Sequence, residues 1–89
     1  MTYLAKAAEL IKEFEGLYLK SYLCPAGVPT IGWGHTEGVQ LGQEITLDEA
    51  EFFLFDDMLE ADSVIEDYVD VPLTENQRAA ILSWVITLS

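Results

Sequence analysis

The 89-residue sequence is poor in positive charge, nearly free of cysteine, and without any long apolar run. Four Lys or Arg stand against sixteen Asp or Glu, a formal net charge of −12, and no Lys or Arg lies between Lys20 and Arg78. So acidic a chain repels phosphate backbones and anionic bilayers, which excludes nucleic acid and makes an anionic membrane a poor partner. The one cysteine, Cys24, cannot close an internal disulfide, which fits a reducing compartment or a thiol retained for another purpose. A membrane span needs about 18 or more consecutive apolar residues, and none is present. The opening residues 1–6 lack the basic start and apolar run of a secretory signal. No membrane anchor is therefore expected, and if the protein acts outside the cytoplasm a separate agent must let it out. With three prolines, six glycines and 51% hydrophobic residues, what remains is a globular composition. A chain this short is one domain or part of one, burying only about 60–65% of its unfolded surface.

Periodicity divides the chain into three. Residues 3–15 read as an amphipathic helix with Leu4, Ala8, Ile11 and Glu15 on one stripe, and Gly16 is expected to stop it in a left-handed conformation. Residues 17–35 alternate aromatic or β-branched residues with polar ones around a Pro25–Pro29 turn, the pattern of a hairpin. Thr46 with Glu49, and Thr74 with Gln77, have the spacing of capping boxes and open two further helices. The first has an apolar face of Ala50, Phe53, Leu54, Met58, Ala61, Ile65 and Tyr68. The second is apolar on nearly every side, from Ala79 to Leu88, which is the composition of a helix in the middle of a core. Since little sequence remains to cover it, either a missing C-terminal segment or a second copy in a homo-oligomer is expected to do so.

Three placements bear on chemistry. Glu15 ends a helix on its apolar side, where burial and the negative end of the helix dipole both disfavour the carboxylate, as a general acid requires; a glutamate turned out to solvent is the alternative. A hairpin symmetric about the turn would set Cys24 opposite Thr30, Tyr22 opposite Gly32 and Lys20 opposite Gly34. Gly32 and Gly34 would then leave a floor without side chains, where a sugar ring can approach, unless they simply mark bulges. Asp57 falls on the apolar side of its helix and His35 is a candidate partner for it, a structural tie rather than a catalytic pair; an exposed, unpaired Asp57 is the other reading.

Together these residues resemble the bacteriophage lysozymes of glycoside hydrolase family 24. Their signature is a Glu, eight residues, an Asp or Cys, five residues and a Thr, matched here by Glu15, Cys24 and Thr30. The stretches Ile11–Leu17, Pro29–Thr36, Ile45–Glu51 and Leu73–Gln77 are similar to family text in the same order. The resemblance implies hydrolysis of the β-1,4 bond between N-acetylmuramic acid and N-acetylglucosamine in bacterial peptidoglycan. It implies Glu15 as the acid, with Cys24 and Thr30 on the water side, Cys24 acting as a thiolate or by positioning water, and no cofactor or metal. It also implies residence in the host cytoplasm until another protein opens the membrane. The expected fold is α+β and lysozyme-like: a short first helix (1–16), a small antiparallel β-subdomain (17–45), and a long helix beginning an incomplete helical lobe (46–89). All three belong to a single partial domain. Two departures accompany this. The chain stops where family members continue with several helices, and Thr87-Leu88-Ser89 replaces the usual Asn-x-Gly. A truncated remnant that binds glycan or self-assembles is the alternative function.

Overall fold

Local signals set the helix starts. A computed structural model describes residues 2–88, with the order α1 (Thr2–Phe14), β1 (Tyr18–Leu23), β2 (Pro29–Gly32), α2 (Leu47–Tyr68) and α3 (Glu75–Thr87). At α2 the Thr46 hydroxyl accepts from the Glu49 amide and the Glu49 carboxylate accepts from the Thr46 amide; Thr74 and Gln77 repeat the reciprocal pair at α3. Each box satisfies two amide groups that the first helical turn leaves without partners. The arrangement is α+β, three helices around one small antiparallel sheet.

The core is drawn from every element. Leu4, Ala7 and Ile11 of α1 meet Ala50, Leu54, Met58, Ala61 and Ile65 of α2 and Ala79 and Leu82 of α3, while Ile31, Trp33 and Ile45 close it from the β side. Ile11, Ile31 and Leu82 are fully enclosed, each worth about 1.5–3 kcal/mol relative to an exposed side chain. A polar tie joins the three helices beside this core. The Tyr3 hydroxyl donates to Asp62 Oδ2 (2.8 Å), Arg78 Nε donates to Asp62 Oδ1 (2.9 Å), and the Arg78 guanidinium also reaches Glu66 and lies over the Tyr3 ring.

Three expectations are corrected. Gly16 does not adopt a left-handed φ. The chain leaves α1 after the Glu15 amide has bonded Ile11 O (2.8 Å) and runs on towards β1; the glycine instead gives room to the Tyr18 ring, 3.1 Å from where a Cβ would sit. Tyr68 is not on the buried face but 83% exposed, because α2 extends a turn beyond Ile65, its last buried residue. Helix α3 is not enclosed all round. It packs mainly against α1, burying Ala79, Leu82 and Ser83, while Trp84 and Leu88 stand in solvent.

Candidate active site

Glu15 is half-buried just beyond the last residue of α1, and its carboxyl group lies against Gly34. The turn that presents Gly34 is tight: Ile31 and His35 exchange both backbone hydrogen bonds (2.9 Å each), enclosing Gly32, Trp33 and Gly34. Gly34 has φ +80°, and a Cβ there would sit 3.2 Å from the Glu15 carboxyl carbon and from Oε2. Only glycine permits both this backbone and this approach. Gly32 is placed differently. It also has a positive φ, but it is buried, and a Cβ would meet Ala50 and Ile45. The expected open floor therefore does not extend to Gly32, which α2 covers; Gly34 alone of the two borders the acid. Buried Trp33 holds the turn to α1 through Lys12, whose ammonium lies 4.4 Å from the ring centroid and bonds Glu51 (2.6 Å).

The hairpin register differs from the expected one. Tyr18 pairs with Gly32, Tyr22 with Thr30 and Leu23 with Pro29, so Thr30 opposes Tyr22 rather than Cys24. The connection is Cys24 to Val28, closed by Cys24 N–H to Val28 O (3.1 Å) and Gly27 N–H to Cys24 O (2.8 Å). Thr30 has slipped by two residues and Gly32 by four, even numbers that keep Tyr22 and Tyr18 on the face expected for the partners of Thr30 and Gly32. Between the Tyr18 and Tyr22 pairs, three residues of β1 face only Ile31 of β2. The surplus turns to residues 43–45: Ser21 N–H bonds Gln43 O (2.9 Å), Ile45 N–H bonds Leu19 O (2.8 Å), and Lys20 bridges to Glu44 rather than facing Gly34. The turn is centred on Ala26 rather than Gly27, which sets Thr30 opposite Tyr22; the bulge beyond that pair then shifts Gly32 further, and the second partner of β1, at 43–45, carries no local sequence signal.

Thr30 is buried, and its hydroxyl donates to Val28 O (2.9 Å). The Cys24 thiol is pulled below its ordinary range chiefly by the backbone of Val28, then by that of Ala26, with the Thr30 hydroxyl adding to them. The Tyr22 phenol is pushed up by burial and by the nearby Glu15 charge, so it stays protonated at neutral pH. His35 Nδ1 lies 2.8 Å from Asp57 Oδ2, and the imidazole stacks flat on Phe53, with ring centroids 4.4 Å apart and planes 3° apart. Burial raises the Asp57 carboxyl, and the His35 hydrogen bond partly offsets this. Sequence reasoning missed Phe53 as the support of His35. Its place four residues before Asp57 on α2 was the available signal.

Two hollows flank the acid and its glycine. One, of about 430 Å³, is lined by Phe14, Glu15, Trp84, Thr87 and Leu88. The other, of about 300 Å³, runs between Gly34, Glu37, Asp57 and Glu60 and the α3 residues Val85 and Ile86. Among the described residues no cluster of His, Cys, Asp or Glu is placed to hold a metal ion, and no helix is long and apolar enough to cross a membrane.

Known proteins share the sequence pattern and the fold. The phage lysozyme family model matches residues 12–88. The chain is 43% identical over 83 residues to an endolysin of Acyrthosiphon pisum secondary endosymbiont phage 1, covering 93% of this chain and 57% of that protein. Among solved structures, the muramidase domain of SpmX from Asticaccaulis excentricus is similar with TM-score 0.84 and 35% identity, covering 96% of this chain and 57% of that one. An endolysin from Escherichia coli O157:H7 phage FAHEc1 is similar with TM-score 0.81 and 36% identity, covering 93% and 55%. The chain thus spans a little over half the length of the relatives it matches. With the family model matched over most of its length and the α+β frame shared, the chain belongs to the phage lysozyme family.

Proposed function

We propose that the chain carries the acid-bearing half of an endolysin, a muramidase that hydrolyses the β-1,4 bond between N-acetylmuramic acid and N-acetylglucosamine in bacterial peptidoglycan. The observation that carries this reading is the Glu15 carboxyl, half-buried and set against the bare backbone of Gly34 at the edge of a groove. Glu15 donates its proton to the leaving glycosidic oxygen. Water attacks the anomeric carbon, and Cys24, held towards its thiolate by the Val28 and Ala26 backbone, takes the proton the water loses. Thr30 braces the turn that carries Cys24. Gly34 and Tyr22 border the sugar, and His35 with Asp57 fixes the turn to α2. Residues 1–89 act as part of a single lysozyme domain that remains in the host cytoplasm until a separate protein opens the membrane. Loss of turbidity from a cell-wall suspension should disappear in Glu15→Gln; clearing at an undiminished rate in that variant would end the reading.

A second reading is favoured by one observation, the exposure of Phe14, Trp84 and Leu88 around the Glu15 groove. On that reading the face is covered by a second copy or by a further C-terminal segment, and a chain without its cover binds glycan or self-assembles without cleaving it. Lysis by a demonstrably monomeric chain would remove this alternative.

A further inference from the structure

The bulge in β1 gives Tyr22 a companion, Tyr18, to which no role has been assigned above. Residues four apart on a straight strand lie about 13 Å apart, yet the Tyr18 and Tyr22 rings are packed with centroids 4.2 Å apart and planes tilted by 41°. The surplus residues 19–21, drawn off towards 43–45, pucker the strand and bring the two rings together. The pair stands beside the acid: the Tyr18 ring rests on Gly16, the residue after Glu15, and the Glu15 charge reaches the Tyr22 phenol. Tyr18 is 46% exposed, and Tyr22, opposite Thr30, is half-buried. Among the described residues the Tyr22 hydroxyl has no hydrogen-bond partner.

We infer that Tyr18 and Tyr22 together form a sugar-binding wall next to Glu15, in which Tyr18 offers aromatic surface to a pyranose ring and Tyr22 donates its phenol proton to a sugar oxygen. A pyranose has an apolar C–H side and a rim of hydroxyl and acetamido groups, so it is matched by a surface that is apolar in one part and a neutral donor in the next. Tyrosine supplies both with few rotatable bonds, and ring-on-ring packing fixes them before the ligand arrives. The ligand class rests on the glycan-cleaving reading, but binding can be read without turnover.

The test is an NMR titration of the chain in a Glu15→Gln background with the β-1,4-linked trimer of N-acetylglucosamine. Saturable shifts of the Tyr18 and Tyr22 ring protons are expected. Tyr18→Leu should weaken binding about tenfold or more, while Tyr18→Phe stays within about twofold. Tyr22→Phe removes one oxygen without altering ring packing, and should weaken binding several-fold even if Tyr18→Leu folds poorly. Failure of the trimer to bind, its mapping to Trp84 instead of the tyrosines, or unchanged affinity in a folded Tyr18→Leu would overturn the wall. Unchanged affinity with lysis still dependent on Glu15 would sink the wall and leave the muramidase standing. Saturable tyrosine shifts in a chain that never lyses would do the reverse.

Discussion

The two glycines at 34 and 38 share a backbone conformation but not an environment, and they separate two costs. Both have positive φ, +80° and +70°, yet a Cβ on Gly38 meets nothing within 4 Å, whereas one on Gly34 meets the Glu15 carboxyl. Gly38→Ala should lose only the backbone share, about 1–2 kcal/mol, and retain lytic activity. Gly34→Ala should lose more stability and displace Glu15, so that activity falls well beyond the shift in unfolding midpoint. Equal losses of activity in the two variants would contradict the contact. Asp57 gives a pH dependence. Its raised pKa means the folded chain holds the proton longer than the unfolded one. The favourable contribution is therefore complete below the ordinary carboxylate pKa and is lost as pH rises through the folded value. Denaturation curves should show the stability of Asp57→Asn gaining on the wild type from pH 3 to pH 6; a constant gap would refute the linkage. Glu15, Cys24 and Thr30 stand out in the sequence through their match to the family signature, not through position alone. The Tyr18 ring on Gly16 and the Phe53 ring on His35 do not stand out there, since each depends on how one element folds onto another.

Elements were legible wherever their signals were local. Both capping boxes form at Thr46 and Thr74 because their donors and acceptors lie within one turn. The hairpin was legible as a hairpin, but the centre of its turn was not, and the bulge that shifts its far pair goes with a partner some twenty residues away at Gln43 and Ile45, which no pattern within β1 encodes. The order of the helices owes much to Arg78, whose pKa is raised by its hydrogen bonds to Asp62 and Glu66. Without the guanidinium, Asp62 keeps only the Tyr3 hydroxyl as partner in a half-buried position. Arg78→Met, which keeps the apolar stem, should cost about 2 kcal/mol in chemical denaturation. A midpoint equal to the wild type would show that the tie is incidental to the helix packing.

Charge and apolar surface oppose each other in the molecule as a whole. A net charge of −12 on a chain 43 × 23 × 18 Å in extent repels further copies, while Trp84, Leu88 and Phe14 favour them. Repulsion reaches about 30 Å at 0.01 M salt and about 8 Å at 0.15 M. Light scattering should therefore show the mean mass rising with salt, and Trp84→Gln should abolish the rise. A mass that stays monomeric at both salt levels would remove self-association as the fate of this face. The composition of α3 announced an apolar helix, but not which side α1 would take, because its residues are apolar in nearly every direction.

Trp84, Thr87 and Leu88 do more than leave a face uncovered, since they are also walls of the groove beside Glu15. A cover that settles on them reshapes the volume in which a glycan would lie, and a glycan in that volume alters what a cover can touch. The two binding events are then thermodynamically linked. Whatever factor the cover contributes to glycan affinity, the glycan returns to the affinity of the cover.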